Sequence, residues 1–146
     1  MKDEKLKEIL NVFLTSQWAK DLPRQGFIQV GFKLNEVDSV AAHSYCVAIL
    51  SYLLAKQLKL DGEKIDPDRA LKLGLFHDVG ESMVGDVGGF VKMFGKGSFN
   101  AVEEKAFEVL FSKLDFSKEM MQLQDEYVSR KTPEAKLVKV CDKIDS

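Results

Sequence analysis

Residues 70–81 read ALKLGLFHDVGE, and the way this stretch is read decides the fold. Ala70, Leu71, Gly74 and Leu75 recur at three- and four-residue steps, the spacing of one face of an α-helix. Asp66 and Pro67 mark the start: an acceptor for unpaired backbone N–H groups, then a residue that lacks an N–H where none is needed. The helix carries His77 and Asp78 before Gly80 weakens it. Working outward, the same periodicity recurs almost everywhere. Leu6, Ile9, Leu10, Phe13 and Leu14 form a stripe on a first helix that should end near Trp18, before Pro23. A second helix should start at Asp38 or Ser39 and run to about Leu58, apolar on most sides and therefore central. Further helices are expected over about 99–114 and 117–129, and a last one opens with Thr132 and Pro133. That final helix is expected to be cut short at Ser146.

Two segments break the pattern. Around Pro23, Gly26 and Gly31 the chain should form a loop carrying Arg24, since an extended Phe27 to Val30 would have no obvious pairing partner. Residues 85–98 hold five of the ten glycines, which implies a mobile segment or one that approaches something closely. With no internal repeat or low-complexity tract, the expectation is an all-α, single-domain bundle of about six to eight helices spanning residues 1–146.

Composition narrows the class. The 146 residues are 45% hydrophobic and 30% charged with a formal net charge of −2, which disfavours disorder and a nucleic-acid footprint. Cys46 and Cys141 have no CxxC spacing, so neither a disulfide framework nor a thiolate metal site is expected, and a reducing cytoplasm fits best. The most apolar stretch, residues 40–55, is shorter than a bilayer span and is interrupted by His43, Ser44 and Ser51. The amino terminus opens with charges rather than a signal-peptide core, so no membrane crossing is expected.

The chemistry is concentrated in a few ionisable side chains on apolar faces. Both histidines of the chain, His43 in VAAHSYCVAIL and His77 in LGLFHDVGE, lie inside apolar helices. One such histidine is more often a core residue satisfied by a local hydrogen bond than a ligand. Two of them, together with buried aspartates, change that balance. Asp78 follows an apolar run, and burying its carboxylate without a partner or a cation would cost several kcal/mol. Glu81 lies four residues after His77 and three after Asp78, so it shares their side if the helix persists. Asp142 follows Ala135 and Val138 on an apolar stripe, and Asp145 continues that face; the plain alternative for either is a pairing with Lys139 or Lys143. Two imidazoles and two carboxylates make a mixed nitrogen and oxygen set suited to one borderline divalent ion.

The spacing of His43, then His77-Asp78, then Asp142 resembles the metal site of the HD hydrolase superfamily. Arg24 with Gly26-Phe27, then VAAHSY, LFHDVGE, Val84-Gly85-Asp86 and LVKVCDKID look like its 5′-deoxynucleotidase branch, over nearly the whole chain. The doublet alone is a weak motif, whereas the ordered set is fairly specific. The resemblance implies an all-helical HD domain, usually dimeric, using manganese, cobalt or another transition metal. By the same resemblance His43, His77, Asp78 and Asp142 hold the metal, Glu81 and Asp86 are catalytic carboxylates, and Arg24 contacts the substrate phosphate. Lys92 and Lys96 in the glycine-rich segment can add positive charge there, Lys92 being counted as a substrate contact, although solvated lysines are the commoner case. Relatives often carry proline after the Gly-Asp step, where this chain has Gly88-Gly89.

The expected partner is therefore a nucleoside monophosphate, with no nucleic-acid polymer and no membrane, and a homodimer is the expected assembly. Two other functions fit the residues less well. An HD enzyme of another nucleotide, such as a dinuclear phosphodiesterase, needs more imidazoles than two and often a GYP-type motif after the doublet, which is absent. A non-catalytic helical module that binds a nucleotide through a structural metal clip would leave Arg24, Glu81 and Asp86 incidental.

Overall fold

A computed structural model of the protein describes residues 2–146, and the described residues form helices joined by turns and irregular segments, with one isolated bridge between Pro23 and Ser39. Six helices have ten or more residues: α1 (Asp3–Ser16), α3 (Val40–Leu60), α4 (Pro67–Phe76), α7 (Ser98–Phe111), α8 (Ser117–Ser129) and α9 (Pro133–Ile144). Three short ones lie between them: α2 (Gln25–Gln29), α5 (Glu81–Val84) and α6 (Gly89–Phe94). No helix among the described residues is long and apolar enough to cross a membrane. The all-α expectation holds.

The chain divides into two compact units. One comprises the described residues up to Ala41 together with Val79–Met120, and the other Ala42–Asp78 together with Met121–Ser146. In the second unit, α4 and α9 begin as their sequences dictate. Asp66 accepts a hydrogen bond from the Asp68 N–H at 3.0 Å, and Thr132 accepts one from the Ala135 N–H at 3.2 Å, each with proline at the next position. α9 buries Ala135, Val138, Cys141 and Asp142, one face repeating at three- and four-residue steps, and packs against α4. α4 in turn crosses α3 at Gly74. A Cβ placed there would come within 2.8 Å of the Ala48 Cα, so only glycine lets the two backbones approach this closely. Cys46 is exposed and Cys141 buried, and both are free thiols.

In the first unit, α5 packs against α1 and α7, and α7 buries Ala106, Phe107 and Phe111. Gly80 makes the approach to α7 possible, since a Cβ on it would meet the Glu103 carbonyl oxygen at 2.9 Å. Three details go beyond what periodicity discloses. The stripe of α1 is exposed at Leu6, Ile9, Leu10, Phe13 and Leu14, while Asn11, Val12 and Thr15 line a cleft with Met83 and Val109. The segment expected as a loop around Arg24 contains a short helix, α2, at residues 25–29. The helix of residues 67–76 does not persist to Glu81: His77 caps its end, a turn follows, and α5 starts afresh.

Candidate metal centre

His43 sits one turn into α3, with no exposure, and His77 ends α4 with 6%. The close crossing at Gly74 and Ala48 brings the imidazoles together, with ring centroids 5.3 Å apart. Asp78 follows His77 at the helix end, and Asp142 rises from the buried face of α9. His43, His77 and Asp142 each place one donor atom within 4.8 Å of the others. Asp78 reaches the same nitrogens, its Oδ2 lying 3.0 Å from His77 Nε2 and 3.6 Å from His43 Nε2. Asp142 Oδ1 is 3.4 Å from His43 Nε2.

The outer nitrogens are already committed. His77 Nδ1 lies 2.8 Å from the Gly74 carbonyl oxygen, which only accepts, so Nδ1 carries the proton and Nε2 presents a lone pair. His43 Nδ1 is 2.7 Å from Asp145 Oδ2, and the same logic applies. Both Nε2 atoms are buried and face only the Asp78 and Asp142 carboxylates, and in the neutral rings each presents its lone pair there. Two inward lone pairs beside two carboxylates form a pocket for positive charge, and the donor set fits a borderline divalent ion.

Asp142 divides its carboxylate between two tasks. Oδ2 accepts the Tyr127 hydroxyl at 3.1 Å and the Lys139 ammonium at 2.5 Å, which leaves Oδ1 directed toward His43. The sequence reading missed Tyr127, whose ring also lies 5.2 Å from that of His77. Its only signal is an aromatic position on an amphipathic helix, which is ordinarily core.

Electrostatics follow from this geometry. Burial pushes the Asp142 carboxyl up, but the His43 imidazole and the Lys139 ammonium overcome that and hold it well below the usual carboxylate range. Burial pulls His77 down, yet the neighbouring Asp78 charge and hydrogen bond, then Asp142 and the Gly74 carbonyl, leave its pKa raised. Asp78 is pulled below its ordinary value by His77 against the opposing effect of burial. Burial and two adjacent carboxylates raise Tyr127, so its hydroxyl stays a donor.

The remaining predicted residues belong to the first unit. Arg24 precedes α2, 5.9 Å from the Phe27 ring centroid. Asp86 Oδ2 accepts the Gln25 N–H at 2.7 Å and lies 3.9 Å from Arg24 Nε, so this carboxylate ties the start of α2 in place. Glu81 is buried at the start of α5, with Oε1 3.4 Å from Lys92 Nζ. The Lys92 ammonium is also 2.7 Å from Glu103 Oε1, a contact that sequence spacing does not disclose.

Fold and donor set define a class, an all-α protein with a His/Asp group able to hold a metal ion. A family model described as the HD domain matches residues 17–146, and the chain belongs to the HD-domain family. Among curated relatives, it is 34% identical over 129 residues to a 5′-deoxynucleotidase, HDDC2, of Dictyostelium discoideum, covering 86% of this chain and 67% of that protein. It is 31% identical over 132 residues to the 5′-deoxynucleotidase hdd1 of Schizosaccharomyces pombe, covering 86% of this chain and 62% of that one. Among solved structures, a conserved hypothetical protein from Pyrococcus furiosus superposes with a TM-score of 0.80 at 34% identity, over 93% of this chain and 76% of that one. The chain thus spans about two-thirds or less of the length of these curated relatives.

Proposed function

We propose that the chain is a metal-dependent phosphohydrolase that converts (deoxy)nucleoside 5′-monophosphates to nucleoside and phosphate. The observation that carries this is the pair of buried Nε2 lone pairs on His43 and His77 beside Asp78 and Asp142, with both Nδ1 atoms already committed. The relatives named as 5′-deoxynucleotidases support the substrate class. His43, His77, Asp78 and Asp142 are the proposed ligands of one divalent ion, manganese, cobalt or another transition metal, which when bound would supply positive charge to phosphoryl oxygens and acidify water. The chain's own residues do the rest. Glu81 takes the proton of the attacking water as oxygen bonds to phosphorus, and returns it to the 5′ oxygen as the P–O bond breaks. The planar fork of Arg24 pairs with two phosphoryl oxygens, where charge accumulates in the transition state. Asp86, the second proposed carboxylate of the site, holds the Arg24 segment by its contact with Gln25.

The proposal takes residues 1–146 as one HD domain, a reading supported by the span of the family match. It also includes a homodimer, favoured by the exposed apolar face of α3 at Tyr45, Ile49 and Leu53, and a cytoplasmic location, favoured by the two free thiols. The test is phosphate release from deoxynucleoside and ribonucleoside monophosphates with manganese, cobalt, magnesium, zinc or chelator. Metal-dependent release that His43→Ala and Glu81→Ala abolish is the expected result. Folded protein that binds metal and nucleotide but releases no phosphate would instead indicate a binding module.

A further inference from the structure

Lys92 is held in a way that its place in a glycine-rich segment does not require. α6 has six residues, too few to be stable through its own hydrogen bonds, and lies between Gly88 and Gly95. Yet its one lysine brings the ammonium to two carboxylates at once, Glu81 Oε1 at 3.4 Å and Glu103 Oε1 at 2.7 Å. The Glu81 side chain is only 5% exposed, and a carboxylate taken out of water needs an opposing charge to remain ionised. Glu103 sits on α7 where that helix lies against Gly80, next to Glu81 in sequence. α5, α6 and α7 therefore meet at one ion cluster. The two contacts decide what the lysine does: an ammonium turned toward two carboxylates directs its charge and donors at them rather than outward at an incoming phosphate.

We propose that Lys92 is a positioning residue for Glu81, anchored by Glu103, and not a contact of the substrate phosphate. The proposal rests on the reading of Glu81 as the proton acceptor. The ammonium sets an opposing charge beside the Glu81 carboxylate and fixes its direction, while the shorter contact with Glu103 fixes the ammonium. Glu103 does not touch the reacting atoms; it acts through Lys92, and Lys92 through Glu81.

The experiment compares wild type with Lys92→Met, Lys92→Arg and Glu103→Gln in manganese. It measures kcat and KM for phosphate release from dAMP, dAMP binding by calorimetry in chelator, and thermal melting. Lys92→Met should lower kcat tenfold or more with KM and the dissociation constant within twofold of wild type. Lys92→Arg, which keeps the charge, should recover kcat to within a few-fold, and Glu103→Gln should lower kcat less than Lys92→Met does. A tenfold rise in KM or in the dissociation constant at unchanged kcat would make Lys92 a substrate contact and overturn the proposal. A lowered melting temperature with unchanged kcat, or an Arg variant as slow as the Met variant, would overturn it as well. If Lys92→Met does not fold, the Arg and Glu103→Gln variants decide. Wild type that releases no phosphate from any deoxynucleotide removes the reading of Glu81, and this proposal with it, before any variant is made.

Discussion

His43 on α3 and Asp145 at the end of α9 are joined by a 2.7 Å contact between Nδ1 and Oδ2, across 102 residues of sequence. The carboxylate fixes the tautomer and rotation of an imidazole that has no exposure, and so aims Nε2 at Asp78 and Asp142. Partners of this kind tune ligand basicity, and losing one typically costs roughly 10–100-fold in metal affinity. Asp145→Ala should therefore weaken manganese binding by about that factor while the far-ultraviolet circular dichroism stays that of wild type. Calorimetry showing unchanged affinity would exclude the orienting role.

The approach of α4 to α3 depends on Gly74. An alanine Cβ there would lie 2.8 Å from the Ala48 Cα, and backbone cannot give way as a flexible side chain can. Overpacking of this kind costs about 1–3 kcal/mol, which in a chain of this size lowers Tm by roughly 2–4 °C per kcal/mol. Gly74→Ala should lower Tm accordingly and separate His43 from His77, so metal affinity falls with it. A Tm within a degree of wild type would show that the helices tolerate the extra carbon.

Much of this architecture is legible in the sequence, because its signals are local. The caps at Asp66-Pro67 and Thr132-Pro133 reveal where α4 and α9 begin, and the apolar stripe of α9 reveals that Asp142 points inward. What is not legible depends on partners distant in sequence. Periodicity cannot say that the stripe of α1 is exposed, nor that Tyr127 donates to Asp142, nor that Lys92 answers Glu81 and Glu103. The break after Phe76 is likewise hidden, since a helix continuing through Gly80 would place Glu81 on the same side by spacing alone.

Tyr127→Phe removes one donor from Asp142 Oδ2 and leaves Lys139 as the other. The hydroxyl stays protonated across the working pH range, because burial and the nearby carboxylates raise its pKa. A hydrogen bond to a charged group is worth about 1.5–3 kcal/mol. The variant should be destabilised within that range, as measured by urea unfolding in chelator. It should also gain relatively more from added metal, which then neutralises Asp142 in the hydroxyl's place. A metal-induced Tm rise equal to that of wild type would refute this compensation.

The raised pKa of His77 sets a pH window with opposite slopes for the metal-free and metal-bound protein. A group whose folded pKa lies above its unfolded value, here 6.5, contributes stability in full below pH 6.5 and loses it as pH rises through the folded value. Asp142 behaves in the reverse sense: its depressed pKa contributes stability above its ordinary 3.8, lost only as pH falls through the folded value. The chelated protein should therefore be most stable between about pH 4 and 6.5 as far as these two groups decide it, and its Tm should decline above that window. Metal competes with the His77 proton, so the Tm gain on adding manganese should be small at pH 6 and grow as pH rises through the folded pKa of His77. Replacing His77 with glutamine removes the titrating group, and should flatten the decline in chelator above pH 6.5 and abolish most of the gain with manganese. Paired melting curves in chelator and in manganese from pH 5 to 9 test both slopes together, and a chelated Tm that does not fall above pH 6.5 would show that His77 does not hold its proton in the folded, metal-free state.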